Sequence, residues 1–101
     1  RGLIPTLPPE CCVEVPCMVD AAGINPCRIE NYPEQLAGLN RGLINMHIMG
    51  AEGALEGDRR KVFQAIALDP LTAAVCSLDE IQAMTDEMFE VLKPELDPRF
   101  F

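Results

Sequence analysis

Proline placement divides this chain before anything else does. Six of the nine prolines (Pro5, Pro8, Pro9, Pro16, Pro26 and Pro33) lie at or before position 33, and none falls between Pro33 and Pro70. Each X-Pro step drives the preceding residue out of the helical region, so the first third is held to extended and turn conformations. Residues 1–10 read as a stiffened, extended entry. Beyond them Cys11, Val13, Val15, Cys17 and Val19 alternate with Cys12, Glu14, Pro16, Met18 and Asp20. That period of two predicts a strand with one apolar face. Pro16 cannot donate a ladder hydrogen bond, which puts the strand at an edge or bulges it there. Asp20-Ala21-Ala22-Gly23 is a hairpin loop in which Gly23 is free to take a positive φ, and residues 24–30 form the returning strand. A two-stranded hairpin is not stable by itself, so it has to pack on helices, on further strands, or on both.

From Pro33 the pattern turns helical. Proline suits a first helical turn, and Glu34 suits the positive helix end. Leu36, Leu39/Asn40, Leu43, Met46/His47, Gly50 and Ala54 trace one face, with Ala37, Ile44, Ile48, Ala51 and Leu55 beside it, predicting a wide apolar stripe. Gly57 ends this helix as a left-handed cap, and Asp58 caps the next, whose inner face is Val62, Phe63, Ile66 and Ala67. Asp69-Pro70 stops that helix and restarts a short one over residues 71–75. Ser77-Leu78-Asp79-Glu80 is a capping box opening a fourth, with stripe Leu78, Ile81, Met84, Met88 and Val91/Leu92, and Pro94 as its stop. Residues 95–101 read as a poorly ordered exit unless something docks Phe100 and Phe101.

The chemistry-bearing inventory is thin. A net charge of −8 lacks the basic face that phosphate neutralisation needs, which argues against nucleic acid, and no apolar run is long enough to span a bilayer. Cys11, Cys12, Cys17, Cys27 and Cys76 are odd in number and lack CxxC spacing, so they suit packing as small hydrophobes better than a disulfide framework or a zinc site. His47 is the one histidine, beside Met46, Ile48 and Met49, and reads as a core or interface residue rather than a ligand or base. Asp86, Glu87 and Glu90 read as a solvated helix face, and Asp58, Arg59, Arg60 and Lys61 as a solvated cap. Met46, Met49, Met84 and Met88 suit helix packing more than an adaptable groove. No Gly-rich loop follows a strand and opens a helix, so nothing here cradles a pyrophosphate. No catalytic, cofactor-binding or metal-ligating residue is assigned.

One set of motifs says more than its physics. Leu7-Pro8-Pro9-Glu10-Cys11-Cys12-Val13-Glu14-Val15-Pro16, then Val19-Asp20 and Gly23-Ile24-Asn25-Pro26, resembles the C-terminal part of glycoside hydrolase family 4. Ala54-Leu55-Glu56-Gly57-Asp58-Arg59, Leu68-Asp69-Pro70-Leu71-Thr72-Ala73-Ala74-Val75 and Ser77-Leu78-Asp79-Glu80-Ile81 are similar to the helical segments that follow there. The flavour is that of the α-galactosidase, α-glucosidase and α-galacturonidase side rather than the phospho-sugar side.

The resemblance implies a parent glycosidase that uses NAD and a divalent metal, typically manganese, in a fold related to lactate and malate dehydrogenases. Hydride leaves C3 of the sugar, the C2 proton is removed, the glycosidic bond is eliminated, water adds and the hydride returns, unlike the two-carboxylate route. The dinucleotide loop, metal ligands and base belong to an earlier part of the family, so residues 1–101 are expected to form a C-terminal, substrate-side and oligomerisation piece, inactive alone. The start at Arg1 rather than Met fits a piece of something longer. The expected fold is α+β, one hairpin packed with about four helices, as in part of the dehydrogenase-like C-terminal domain. Expected partners are the N-terminal part of the same protein, further copies in a homo-oligomer and a sugar, in the cytoplasm. The alternative is a stand-alone interaction or oligomerisation module without catalysis.

Overall fold

The computed structural model describes Arg1–Phe101 throughout and is α+β, with a two-stranded antiparallel hairpin and four helices. The chain divides into two compact units, Arg1–Ile44 and Asn45–Phe101. The hairpin pairs β1 (Cys17–Asp20) with β2 (Gly23–Pro26), and helix α1 (Glu34–Glu56) runs through the division. Helices α2 (Arg59–Ala67), α3 (Pro70–Val75) and α4 (Leu78–Leu92) follow, then a 3-10 turn, Pro98–Phe100.

In the first unit both strands are shorter than the alternation predicts. The ladder starts immediately after Pro16 and stops at Pro26, because the nitrogens of those two residues have no hydrogen to donate. The Pro16 carbonyl still accepts from the Cys27 N–H at 2.8 Å. The alternation outlives the ladder: Cys11, Val13 and Val15 are half-buried between exposed Cys12, Glu14 and Pro16. Gly23 supplies the positive φ (+114°), and the Asp20 carboxylate accepts from the Ala22 N–H at 2.8 Å and from Asn25 at 3.2 Å. All eight paired residues are exposed, Val19 and Ile24 among them. The buried residues of this unit are Ile4, Leu7, Ala37 and Ile44, with the entry segment tied by Ile29 N–H to the Leu3 carbonyl (2.8 Å) and by Arg41 to the Thr6 carbonyl (2.6 Å).

The second unit is built on its punctuation. Gly57 adopts φ +72° and ends α1, and the Asp58 carboxylate accepts from the N–H groups of Arg60 and Lys61. Asp69 caps α3 ahead of Pro70, and Ser77 with Glu80 forms a reciprocal capping box on α4. The faces differ from expectation. On α4 the buried row is Ile81, Thr85 and Phe89, while Leu78, Met84, Met88, Val91 and Leu92 are exposed. Thr85 can occupy a buried position because its hydroxyl donates to the Ile81 carbonyl at 2.7 Å, satisfying itself within the helix. On α2 it is Ala65 that is buried, with Val62, Phe63, Ile66 and Ala67 half-covered. Of the wide stripe of α1 only Ala37 and Ile44 are buried, with Gly53 buried outside it, and Leu39 and Leu55 stand about three-quarters exposed (74% and 76%). The last residues do not fray: Phe100 and Phe101 lie 5.3 and 6.3 Å from the Phe89 ring, so this chain itself supplies the docking surface.

Two outcomes follow from these corners. Gly57→Ala forces a side chain into the left-handed region, at ~1–2 kcal/mol, and puts a Cβ 2.5 Å from the Cβ of Arg99. A urea melt of the variant is expected to show at least that loss. Hydrogen bonds from the Ser77 N–H and then its hydroxyl hold Glu80 below its ordinary 4.5, and bonds from the Thr72 hydroxyl and N–H hold Asp69 below 3.8. Folded-state values below unfolded ones stabilise above the unfolded pKa, and the gain is lost as pH falls through the folded pKa. Thermal midpoints are therefore expected to drop as pH falls below 4.5, with a shallower decline in Glu80→Gln.

Candidate functional site

The second unit holds an apolar cleft of about 290 Å³. Gly50 and Ala54 of α1, Val62 and Ile66 of α2, and Thr85, Met88, Phe89 and Leu92 of α4 line it, together with Leu96 and Phe100 from the C-terminal segment. Small residues on α1 let the helices approach: a Cβ on Gly53 would sit 3.0 Å from the Val62 backbone nitrogen. The one polar side chain in the lining is Thr85, already committed to the Ile81 carbonyl. Such a cleft recognises by shape and apolar burial, and it presents no nucleophile, acid or base.

A broader, more open hollow of about 610 Å³ lies along Met46, His47, Gly50, Ala51, Val62, Ala65, Ile66, Asp69 and Thr72. His47 is exposed on its rim rather than buried in a core, because the α1 face that carries it is largely uncovered. The Asp69 carboxylate is spoken for by Thr72, whose hydroxyl and N–H both donate to it. Met88 lines the cleft and Met46 the hollow, while Met84 and Met88 remain 38% and 50% exposed.

The charged cluster at the start of α2 is more than a solvated cap. Arg59 donates to Asp86 at 3.0 Å, lies 3.9 Å from Glu90, and its guanidinium sits 4.6 Å above the Phe89 ring and 5.5 Å from that of Phe101. Lys61 reaches Glu56 at 2.8 Å and Glu52 at 3.2 Å, which raises its pKa above the ordinary 10.5. Asp86 and Glu90 are thus exposed partners of Arg59, and Arg59 and Asp86 together line a hollow of about 210 Å³ between α2 and α4.

Cysteine behaves differently from expectation. All five are free thiols and none is buried: Cys12 and Cys17 are exposed, and Cys11, Cys27 and Cys76 half-covered. Strand residues 17–20 are bare on both faces, so the apolar side of the alternation has nothing above it. No group of three or more His, Cys, Asp or Glu side chains that could hold a metal comes together. No helix is long and apolar enough to cross a membrane. Arg59 and Arg99 are the residues whose roles sequence reasoning missed; docking of Phe100 and Phe101 was named there as a condition, and its partner is Phe89.

A profile of the family described as "Family 4 glycosyl hydrolase C-terminal domain" matches residues 1–72. The chain is similar to an α-galactosidase of Bacillus subtilis (strain 168), 44% identical over 88 residues, covering 87% of this chain and 20% of that protein. An α-galactosidase of Rhizobium meliloti (strain 1021) is 34% identical over 88 residues, 87% of this chain and 18% of that protein. A probable 6-phospho-β-glucosidase of Bacillus subtilis (strain 168) is 30% identical over 101 residues, all of this chain and 22% of that protein. The chain therefore spans about a fifth of the length of the curated relatives it matches. No solved structure matches it significantly.

Arg59→Lys keeps the charge but gives up the planar fork that meets Asp86 and stacks on Phe89. A loss of about 1 kcal/mol is expected, the scale of one exposed cation–π contact with its ion pair. Urea titration of the variant beside Phe101→Leu would separate the two ring contacts.

Proposed function

The chain belongs to the family 4 glycosyl hydrolases, as their C-terminal domain, and from that premise we propose that the protein carrying it hydrolyses α-galactosides. The observation that carries this reading is the 44% identity over 88 residues to an α-galactosidase. Within that protein these 101 residues complete the substrate-side domain, which joins the N-terminal part of the same chain in a dehydrogenase-like fold and serves subunit contacts in a cytoplasmic homo-oligomer. The hairpin and the uncovered helix faces support such a role, since both carry apolar side chains with nothing over them.

The parent's chemistry is proposed to be the NAD- and manganese-dependent oxidation, elimination and addition typical of the family. The residues present here do not fit either group. The glycines of the second unit lie within α1 or at its end rather than in a loop between a strand and a helix, and no acid, thiol and imidazole converge as metal ligands. No step of the reaction is assigned to this chain's side chains; its contribution is to position and enclose.

A second reading is glycosidase action on a 6-phospho-β-glucoside, favoured by the similarity that spans all 101 residues. Steady-state assays of the protein with its upstream portion, given NAD and manganese, distinguish the two. Turnover of an aryl α-galactoside, lost on removing either cofactor, is the expected result. Turnover of the phospho-β-glucoside alone would replace the first reading with the second. The 101-residue chain by itself is expected to turn over neither, and activity from it would overturn the division of labour proposed here.

A further inference from the structure

The two outer edges of the hairpin are chemically unlike. Opposed residues of an antiparallel pair alternate between pairs that exchange hydrogen bonds and pairs that do not. The Cys27 N–H donates to the Pro16 carbonyl at 2.8 Å, so in the observed register the bonded pairs are Pro16/Cys27, Met18/Asn25 and Asp20/Gly23. Cys17 and Val19 of β1, and Ile24 and Pro26 of β2, therefore turn their backbone groups outward. No bond beyond the ladder uses the N–H groups of Cys17, Val19 or Ile24. Pro16 lacks its donor on the inner side, toward β2, whereas Pro26 lacks one on the outer edge of β2. That outer edge runs on into Arg28 and Glu30, exposed side chains paired with each other at 2.8 Å. Proline and charge are the means by which a sheet edge is kept unpaired. At its outward-turned residues the edge of β1 has neither. Two N–H and two carbonyl groups stand free at Cys17 and Val19, and the row continues upstream through Val15 and Val13.

We infer that β1 takes a third strand on this edge, supplied by the stretch of the same protein immediately upstream of Arg1 and running antiparallel to β1. The entry end is placed for it: Arg1, Gly2 and Leu3 share a hollow of about 200 Å³ with Cys11 and Val13, on the run-up to β1. A chain continuing back from beside Val13 toward Val19 needs about six extended residues to cover the free groups of Cys17 and Val19. Met18 and Val19 point to opposite faces and are 68% and 75% exposed, so they call for apolar neighbours on that strand. A third strand also gives the sheet the member that a lone hairpin lacks for stability. The inference rests on the reading that this protein carries an upstream portion, as do relatives of which the chain spans about a fifth.

Hydrogen exchange on the protein with its upstream portion tests this without any substitution. Relative to unstructured-peptide rates, the Cys17 and Val19 amides are expected to exchange at least about tenfold more slowly than the Ile24 amide, the scale of one added backbone hydrogen bond. Equal exchange at Val19 and Ile24, whether fast or slow, or slower exchange at Ile24, overturns the inference. Protection at Val19 that disappears on dilution to the monomer assigns the strand to a second copy and overturns it too. A pair of proline variants gives a second reading, since Val19 and Ile24 stand opposite each other in a pair that exchanges no bonds. Val19→Pro is expected to abolish the slow exchange at Cys17, and Ile24→Pro to leave it; the same response to both overturns the inference. Turnover of an aryl α-galactoside by the wild-type sample reports on the glycosidase separately. Turnover with equal exchange at Val19 and Ile24 removes the strand alone, whereas protected Cys17 and Val19 amides without turnover remove the galactosidase reading alone.

Discussion

Much of the second unit hangs on one backbone reversal. Gly57 takes the left-handed conformation that a side chain resists, and Asp58 immediately satisfies the first free N–H groups of α2. That pair stops one helix and starts another with no residue between cap and cap. The reversal fixes how closely α1 meets α2, which is why Gly53 has no room for a Cβ beside Val62. The same glycine clears the place where Arg99 crosses the end of α1. Cleft, charged cluster and C-terminal segment are therefore all downstream of a corner made of two residues.

That corner was legible because its physics is local, and so were the others. Pro33, Gly57, Asp58, Asp69-Pro70, the Ser77–Glu80 box and Pro94 each act within about a helical turn, and every helix begins and ends where they place it. Faces were not legible in the same way. On α4, periodicity alone admits two neighbouring rows, and choosing between them depends on what α2 presents across the contact. The row with Thr85 wins because its hydroxyl pairs within its own helix and because Phe89 stacks with Arg59 and Phe100. Neither Arg59 nor Phe100 stands at helical spacing from Phe89, so of these contacts only the Thr85–Ile81 bond lies within α4 itself. The strands were overextended for a related reason: alternation reports exposure, which does continue through Cys11, Val13 and Val15, whereas pairing needs donors that proline lacks.

The site divides along the same line. Family membership was readable from ordered short motifs, because residues that shape a hairpin and its helix corners recur with the fold they build. The cleft was not readable, since its lining joins Gly50, Val62, Phe89 and Phe100 from four separated stretches. Carboxylates on α4 that looked merely solvated proved to converge on Arg59, a pairing that requires knowing where α2 lies.

Apolar exposure links these local facts to the proposed role. Leu71, Val75, Leu78 and Val91 of the second unit are all at least 64% exposed, as are Met18, Val19 and Ile24 of the hairpin. Scattered apolar residues on a surface need no explanation, but runs of them along one helix pair and across both faces of a hairpin usually mark a surface that meets other protein. An acidic chain of net charge −8 gains solubility from its carboxylates, and four of them, Glu52 and Glu56 of α1 and Asp86 and Glu90 of α4, are drawn onto Lys61 and Arg59. A chain that belongs to the family 4 glycosyl hydrolase C-terminal domain, spans about a fifth of its relatives' length and leaves apolar side chains of its helices and of both hairpin faces uncovered is suited to being covered: the same helices that build a small core keep second faces over which other protein can lie.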